Sequence, residues 1–289
     1  MQTQIFKTTL YTLFALIAFA GNSVLCRLAL APEDGNTQVI DAASFTIIRL
    51  LAGIFTLAII LSFNRKKASS KGSWTGAFAL FAYAAGFSYA YITLDTGTGA
   101  LVLFGSVQLT LIGINLAKGG RLAMTEWSGL LIAFVGFVYL VLPNIGTPSI
   151  SGFILMTLAG LAWGLYTYKG LGVSNPLAET SFNFFRTLPF VAVLTALTWT
   201  HLSASTQGIL LAVASGAITS AVGYTIWYMA LRQLHPTIAA VSQLSVPVIA
   251  AIGGLIFVNE PMTSRLMIST AMILGGIALI VFYRYKAAN

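Results

Sequence analysis

The chain has 289 residues, of which 57% are apolar and only 8% are Asp, Glu, Lys or Arg, against roughly a quarter charged in an ordinary soluble domain. So little charge cannot clothe a globule of this size, and with a mean hydropathy of +0.88 the composition predicts an integral membrane protein. One cysteine, Cys26, excludes an intramolecular disulfide and any multi-cysteine metal site, and no motif implies a cofactor.

At about 20 residues per span the chain has room for ten helices. Helix-long apolar runs exclude a transmembrane barrel, whose strands alternate over about 10 residues. The runs lie near residues 6–30, 40–63, 73–94, 97–118 and 124–142, then 151–169, 177–199, 206–232, 235–257 and 263–284. The first begins like a signal peptide, with Lys7 and a possible cleavage site at Ala18-Phe19-Ala20. It continues past that site to Leu25, longer than a usual signal core, and is read as a retained span.

Charge divides the loops into two sets. Lys7, the loop with Arg65, Lys66, Lys67 and Lys71, the later loops with Lys118, Arg121, Lys169 and Arg232, and the terminal Arg284 and Lys286 carry eleven of the 15 basic residues. The opposite loops hold Glu33, Asp34, Asp41, Asp95 and Glu260, beside Arg27 and Arg265. Basic loops remain in the cytoplasm, which predicts both termini inside. The net charge of +8 is then a topology signal and not a nucleic-acid footprint.

The two sets of five runs match each other. Tyr89 to Val141 overlies Tyr228 to Ile280 at a constant offset of 139, pairing Thr98 with Thr237, Ala100 with Ala239 and Gly136 with Gly275. Ser44-Phe45 and Arg49 in the second run match Ser181-Phe182 and Arg186 in the seventh. The expected domains are residues 1–143 and 144–289, each a five-helix repeat. Because five is odd, the second copy enters the membrane inverted, an arrangement characteristic of secondary transporters with a mid-membrane site. Duplication that only doubles a stable scaffold, as in some channels, is the competing explanation, and a membrane channel or receptor is the alternative of another class.

Ala162-Trp163-Gly164 in the sixth run, and Pro247 followed by Asn259-Glu260-Pro261 and Gly275, complete a pattern that resembles the drug/metabolite transporter superfamily, EamA type. The chain is most similar there to bacterial exporters of aromatic and other amino acids. The resemblance implies an all-α bundle of ten helices exporting small metabolites across the bacterial cytoplasmic (inner) membrane. Repeat one departs from repeat two in having Gln108 opposite Pro247 and Arg121 opposite Glu260. The first departure leaves helix four unbroken where helix nine is interrupted.

Ligand sites combine apolar walls with a few convergent polar groups. Asn22, Gln108 and Gln243 lie deep in spans, as substrate ligands or as interhelical hydrogen bonds. Tyr83, Phe87 and Tyr91 form one face of helix three, and Trp163 and Tyr166 are neighbours on helix six. Trp163 and Tyr83 are expected in the cavity, whereas Trp227 and Tyr228, near Arg232, suit an interfacial aromatic belt. Arg49 and Arg186 lie inside apolar runs and are expected as gates or in structural ion pairs with Asp41 and Glu179, with carboxylate binding second. Pro189 and Pro247 should kink helices seven and nine, Gly253-Gly254 should add slack, and Gly160 and Gly164 should allow close packing.

All seven acids fall near helix ends. Proton-driven drug pumps need a relay carboxylate inside the membrane, so facilitated export is favoured over a proton-driven multidrug pump of the same fold. His201 and His235 flank loops, and no hydrolase, zinc or P-loop motif occurs, which disfavours an enzyme. The expected partners are amino acids or similar metabolites and lipid, with a monomer-competent bundle.

Overall fold

A computed structural model describes residues 2–31, 39–63, 71–141, 148–171, 173–234, 239 and 242–288. Glu33, Asp34, Arg65, Lys66, Lys67, His235 and Thr237 lie outside the described residues. The structure is all-helical: among the described residues the one β-type contact is an isolated bridge between Ile40 and Ala204.

Five unbroken helices come first: α1 (Gln2–Leu30), α2 (Ala42–Phe63), α3 (Trp74–Ala90), α4 (Thr96–Ala117) and α5 (Met124–Val141). The second half begins with α6 (Ile150–Gly170). Its next span is split into α7 (Pro176–Phe185) and α8 (Leu188–Thr198). Another runs as α9 (Thr206–Ala214), a π-helical stretch (Ser215–Val222) and α10 (Gly223–Leu231). The last elements are α11 (Val246–Phe257) and α12 (Ser264–Ala288). Eight described helices are long and apolar enough to cross a membrane, and Val246–Phe257 is a shorter apolar helix.

Local chemistry explains the boundaries. Ser73, Asn175 and Ser205 cap their helices by accepting from Gly76, Ala178 and Gly208 backbone N–H groups at 3.0, 3.2 and 3.1 Å. The interruption between α7 and α8 falls at Arg186–Thr187, one turn before Pro189, whose ring nitrogen has no hydrogen for the Phe185 carbonyl. Pro247 sits in the first turn of α11, after turns at Leu244–Ser245. Both expected proline breaks are present, and α4 is continuous through Gln108.

The outward faces carry Phe55, Phe134, Val193, Leu210 and Ile256, all exposed, the pattern of a surface solvated by lipid. Inside, small residues bring backbones together. A Cβ at Gly160 or Gly164 would press on Ser106 or Thr110 of α4, so the expected close approach is made against α4.

Helix pairing has an internal symmetry. α3 packs on α6 as α10 packs on α1, and α4 packs on α6 as α11 packs on α1. α2 packs on the α9–π stretch as α7 packs on α3, while α5 pairs with α12 and α4 with α11. Cross-links join ends that alternate along the chain. Thr8 donates to Gln233 at 2.5 Å and Lys118 bonds Tyr168 at the basic end. At the other end Asp41 accepts from Ser203 N–H at 2.6 Å.

Candidate functional site

Three neighbouring spaces that share lining residues lie between the basic end and the middle of the bundle. The widest, about 390 Å³, is a vestibule lined by Gln108 and Leu111 of α4, Thr167 of α6, Trp227, Tyr228 and Leu231 of α10, and Gln243 before α11. A throat of about 20 Å³ follows, between Trp163, Thr167, Tyr224 and Trp227. The innermost chamber, about 10 Å³, is lined by Phe19, Asn22, Tyr83, Phe87, Phe104, Trp163 and Tyr224. That is room for about one water.

Aromatic packing builds the throat. Trp163 lies with its ring centroid 4.7 Å from Tyr83, 4.9 Å from Tyr224 and 5.3 Å from Tyr166. The fourfold spacing on α3 produces the expected ladder, with Tyr83–Phe87 at 5.4 Å and Phe87–Tyr91 at 4.7 Å.

Behind the chamber lies a buried polar cluster. Asn22 Oδ1 accepts from Ser215 Oγ at 2.6 Å and Thr219 Oγ1 at 3.1 Å, while its Nδ2 donates to the Tyr83 hydroxyl at 3.4 Å. Arg49, 2% exposed, donates from Nη2 to the Tyr83 hydroxyl at 3.1 Å and from Nε to Ser220 Oγ at 3.3 Å. Its guanidinium stands 5.3 Å from the Tyr83 ring centroid and 4.9 Å from that of Phe87. The π-helical stretch aims Ser215, Thr219 and Ser220 at this cluster, and such segments recur at functional sites.

The six expected substrate ligands therefore separate. Asn22, Tyr83 and Trp163 meet at the chamber. Gln108 and Gln243 line the vestibule. Tyr166 lies behind Trp163, buried, and lines none of the three spaces. Trp227 and Tyr228 are corrected from belt to wall, because α10 turns both toward the throat.

The expected ion pair of Arg49 with Asp41 is corrected as well. Asp41 is tied to Ser203 and accepts from Ser44 N–H at 2.9 Å, capping α2, so Arg49 has no carboxylate within salt-bridge distance among the described residues. Arg186 bonds the Lys71 carbonyl and stacks 5.7 Å from the Trp74 ring centroid. It anchors the start of α3 to α7 at the basic end. Its repeat partner Arg49 stays buried mid-bundle.

At the opposite end the bundle is fastened by a pair that the sequence showed only as loop charges. Arg27 Nε donates to Glu260 Oε1 at 2.8 Å, and Nη1 donates to the Tyr91 and Ile92 carbonyls at 3.0 and 3.2 Å. Glu260 Oε2 accepts from the Thr96 N–H at 2.8 Å, where the α4 dipole favours a carboxylate. Asn259, at φ 57°, takes the left-handed turn that Asn tolerates and folds Glu260 back over Gly254. A Cβ at Gly254 would collide with that carboxylate, so this glycine serves close approach, where slack was expected. Arg27 and Glu260 thereby join α1, the α3–α4 turn and the segment before α12.

The polar cluster was only partly visible in sequence. Ser215, Thr219 and Ser220 are small residues of an apolar run and none is among the residues expected at the site; the one available signal is the i, i+4 spacing of Ser215 and Thr219.

Comparison with known proteins places the chain in context. Residues 150–282 match the EamA-like transporter family. An uncharacterized protein of Pseudomonas aeruginosa is 47% identical, over 98% of this chain and 97% of its own. Uncharacterized transporters of Archaeoglobus fulgidus and Bacillus subtilis are 26% and 21% identical, over 79% and 82% of this chain and 83% and 86% of their own. A crystal structure with 16% identity superposes at a TM-score of 0.64, covering 96% of this chain and 97% of the other, a likeness of fold.

Proposed function

The chain belongs to the EamA-like transporter family and is a membrane transporter of the drug/metabolite superfamily, and from that premise we propose that it exports amino acids or related small metabolites by alternating access. The observation that carries this reading is the contrast between the two ends. A vestibule of about 390 Å³ leads inward from the basic end, while Arg27 and Glu260 fasten the other.

Positive loops stay inside, so the basic end is cytoplasmic, both termini are cytoplasmic, and the membrane is the bacterial inner membrane. The exchange symmetry of helix contacts supports two inverted repeats, residues 1–143 and 144–289. Asn22, Tyr83 and Trp163 form the central site, Gln108 and Gln243 meet the substrate in the vestibule, and Tyr166 braces Trp163. Pro189 and Pro247 supply the hinges about which the halves rock, and Arg186 holds the cytoplasmic end of α3 against α7. The five described acids, Asp41, Asp95, Glu126, Glu179 and Glu260, sit at helix ends or in turns, which supports export down the substrate gradient. The aromatic throat would also suit a multidrug pump, but Arg49 beside the chamber opposes a cationic drug.

Proteoliposomes loaded with unlabelled amino acids test the proposal. Uptake of labelled Phe, Thr or Met by exchange, insensitive to a proton ionophore, is the expected result. No exchange of any amino acid by folded protein would remove amino acids from the reading, and flux without exchange would indicate a channel.

A further inference from the structure

The chamber is walled by aromatic rings, yet its polar atoms are unevenly disposed. The Asn22 carbonyl oxygen is already occupied by two hydroxyl donors. The Tyr83 oxygen accepts from both Arg49 and Asn22, which leaves its own proton to be given away. Among the described residues Nη1 of Arg49 is buried without a hydrogen-bond partner, and the Tyr224 hydroxyl, beside Tyr83 and Ser220, makes no hydrogen bond of ordinary geometry. Arg49 stands behind the wall, beside Tyr83 and Phe87, and the donors left over there and in the wall are its Nη1 and the phenol protons of Tyr83 and Tyr224.

Charge points the same way. A guanidinium cannot shed its proton to escape burial, and a buried charge without a partner is strongly unfavourable. Arg49 has two rings beneath it and two neutral oxygens beside it, and among the described residues no carboxylate within salt-bridge distance. A ligand that brings the missing charge would relieve this burial, and an ionisable group inside the membrane marks a functional site by default. Arginine's planar fork matches a carboxylate through paired N–H bonds.

We propose that Arg49 is the receptor for the carboxylate of the transported molecule, with Tyr83 and Tyr224 as accessory donors, and that the preferred cargo is a net-anionic carboxylate with an apolar or aromatic body. This rests on the reading of the chamber as the transport site and narrows its substrate class. A zwitterion would bring an ammonium for which the chamber holds no carboxylate, leaving only ring faces. A carboxylate lacking that ammonium neutralises Arg49 outright. The throat between Trp163, Tyr224 and Trp227 holds only about 20 Å³, so these rings must turn aside to pass a flat apolar body, which the Tyr83 and Trp163 rings then flank on arrival.

Equilibrium binding to the purified full-length protein tests this with four probes that share one benzyl body: hydrocinnamate, N-acetylphenylalanine, phenylalanine and phenethylamine. Hydrocinnamate and N-acetylphenylalanine should bind tightest, phenylalanine more weakly and phenethylamine not at all. Arg49→Gln should weaken hydrocinnamate by about 10- to 100-fold, the range expected for a lost charge-assisted hydrogen bond. Arg49→Lys, which keeps the charge without the fork, should lose less. A role confined to packing would lower the thermal midpoint of Arg49→Gln without changing the order of the probes.

Three results would overturn the assignment: equal hydrocinnamate affinity in Arg49→Gln and the wild type, phenethylamine binding as tightly as hydrocinnamate, or no carboxylate binding by the wild type. Binding needs no turnover. Carboxylate binding that depends on Arg49 without exchange in liposomes would sink the carrier reading and leave this site standing, and exchange with unchanged binding in Arg49→Gln would do the reverse.

Discussion

Glu260→Gln isolates the fastening at the end opposite the vestibule. Glutamine keeps the volume of the side chain and an oxygen for the Thr96 N–H, and removes only the charge facing Arg27. The two side chains are 14% and 11% exposed, so this pair escapes most of the screening that makes surface ion pairs worth about 0–1 kcal/mol. A hydrogen bond to a charged group contributes about 1.5–3 kcal/mol, and each 1.4 kcal/mol is about tenfold in an equilibrium. The open fraction of that end should therefore rise about 10- to 100-fold. Asp95, 3.4 Å from Arg27 with its side chain 51% exposed, should matter far less, and Asp95→Asn serves as the control.

The molecule carries its own reporter for this change. Cys26, its one cysteine, is buried and lies one turn from Asn22 toward the fastened end, on the same helix face. A membrane-impermeant thiol reagent added from that side should label Glu260→Gln at least about tenfold faster than the wild type, in proportion to the open fraction. A labelling rate unchanged from wild type, or raised equally by Asp95→Asn, would refute the reasoning.

Four further substitutions probe the interior. Trp163→Ala removes ring contacts to Tyr83, Tyr166 and Tyr224 at about 0.5–1.5 kcal/mol each; exchange flux should fall about tenfold or more with insertion intact, and Gln108→Ala, in the vestibule, should lower it less. Gly216→Ala places a Cβ against the Arg49 carbonyl, so the thermal midpoint in detergent should drop by the equivalent of about 1–3 kcal/mol; an unchanged midpoint would mean that α2 and the π-helical stretch are not tightly packed. Pro247→Ala lets the helix close over Ser245, and flux should fall while the thermal midpoint holds or rises.

The sequence disclosed the architecture because lipid solvation leaves few solutions: apolar runs must be helices, and basic loops must sort to one side. It disclosed the proline breaks because Pro189 and Pro247 act on their own backbone. It singled out Asn22, Tyr83 and Trp163, which line one chamber, because deep polar and aromatic residues stand out in apolar runs. What it missed depends on which helices meet. Arg49 and Asp41 looked like an ion pair by spacing along α2, but Asp41 turns outward to Ser203 while Arg49 turns inward to Tyr83. Arg27 and Glu260 are 233 residues apart, and nothing local in either segment announces the other. The π-helical stretch changes the phase of span eight, which a count by 3.6 residues per turn does not foresee.

The most direct measurement is two-sided thiol labelling of one preparation carrying Cys26 and a second cysteine, Gln108→Cys, in the vestibule. Reagent is applied separately to each face, with and without Glu260→Gln. Alternating access requires reciprocity: opening the fastened end should speed Cys26 labelling from that face and slow labelling of the vestibule cysteine from the other. Both sites becoming more reactive together, or each responding independently, would contradict a carrier and point to a continuous pore.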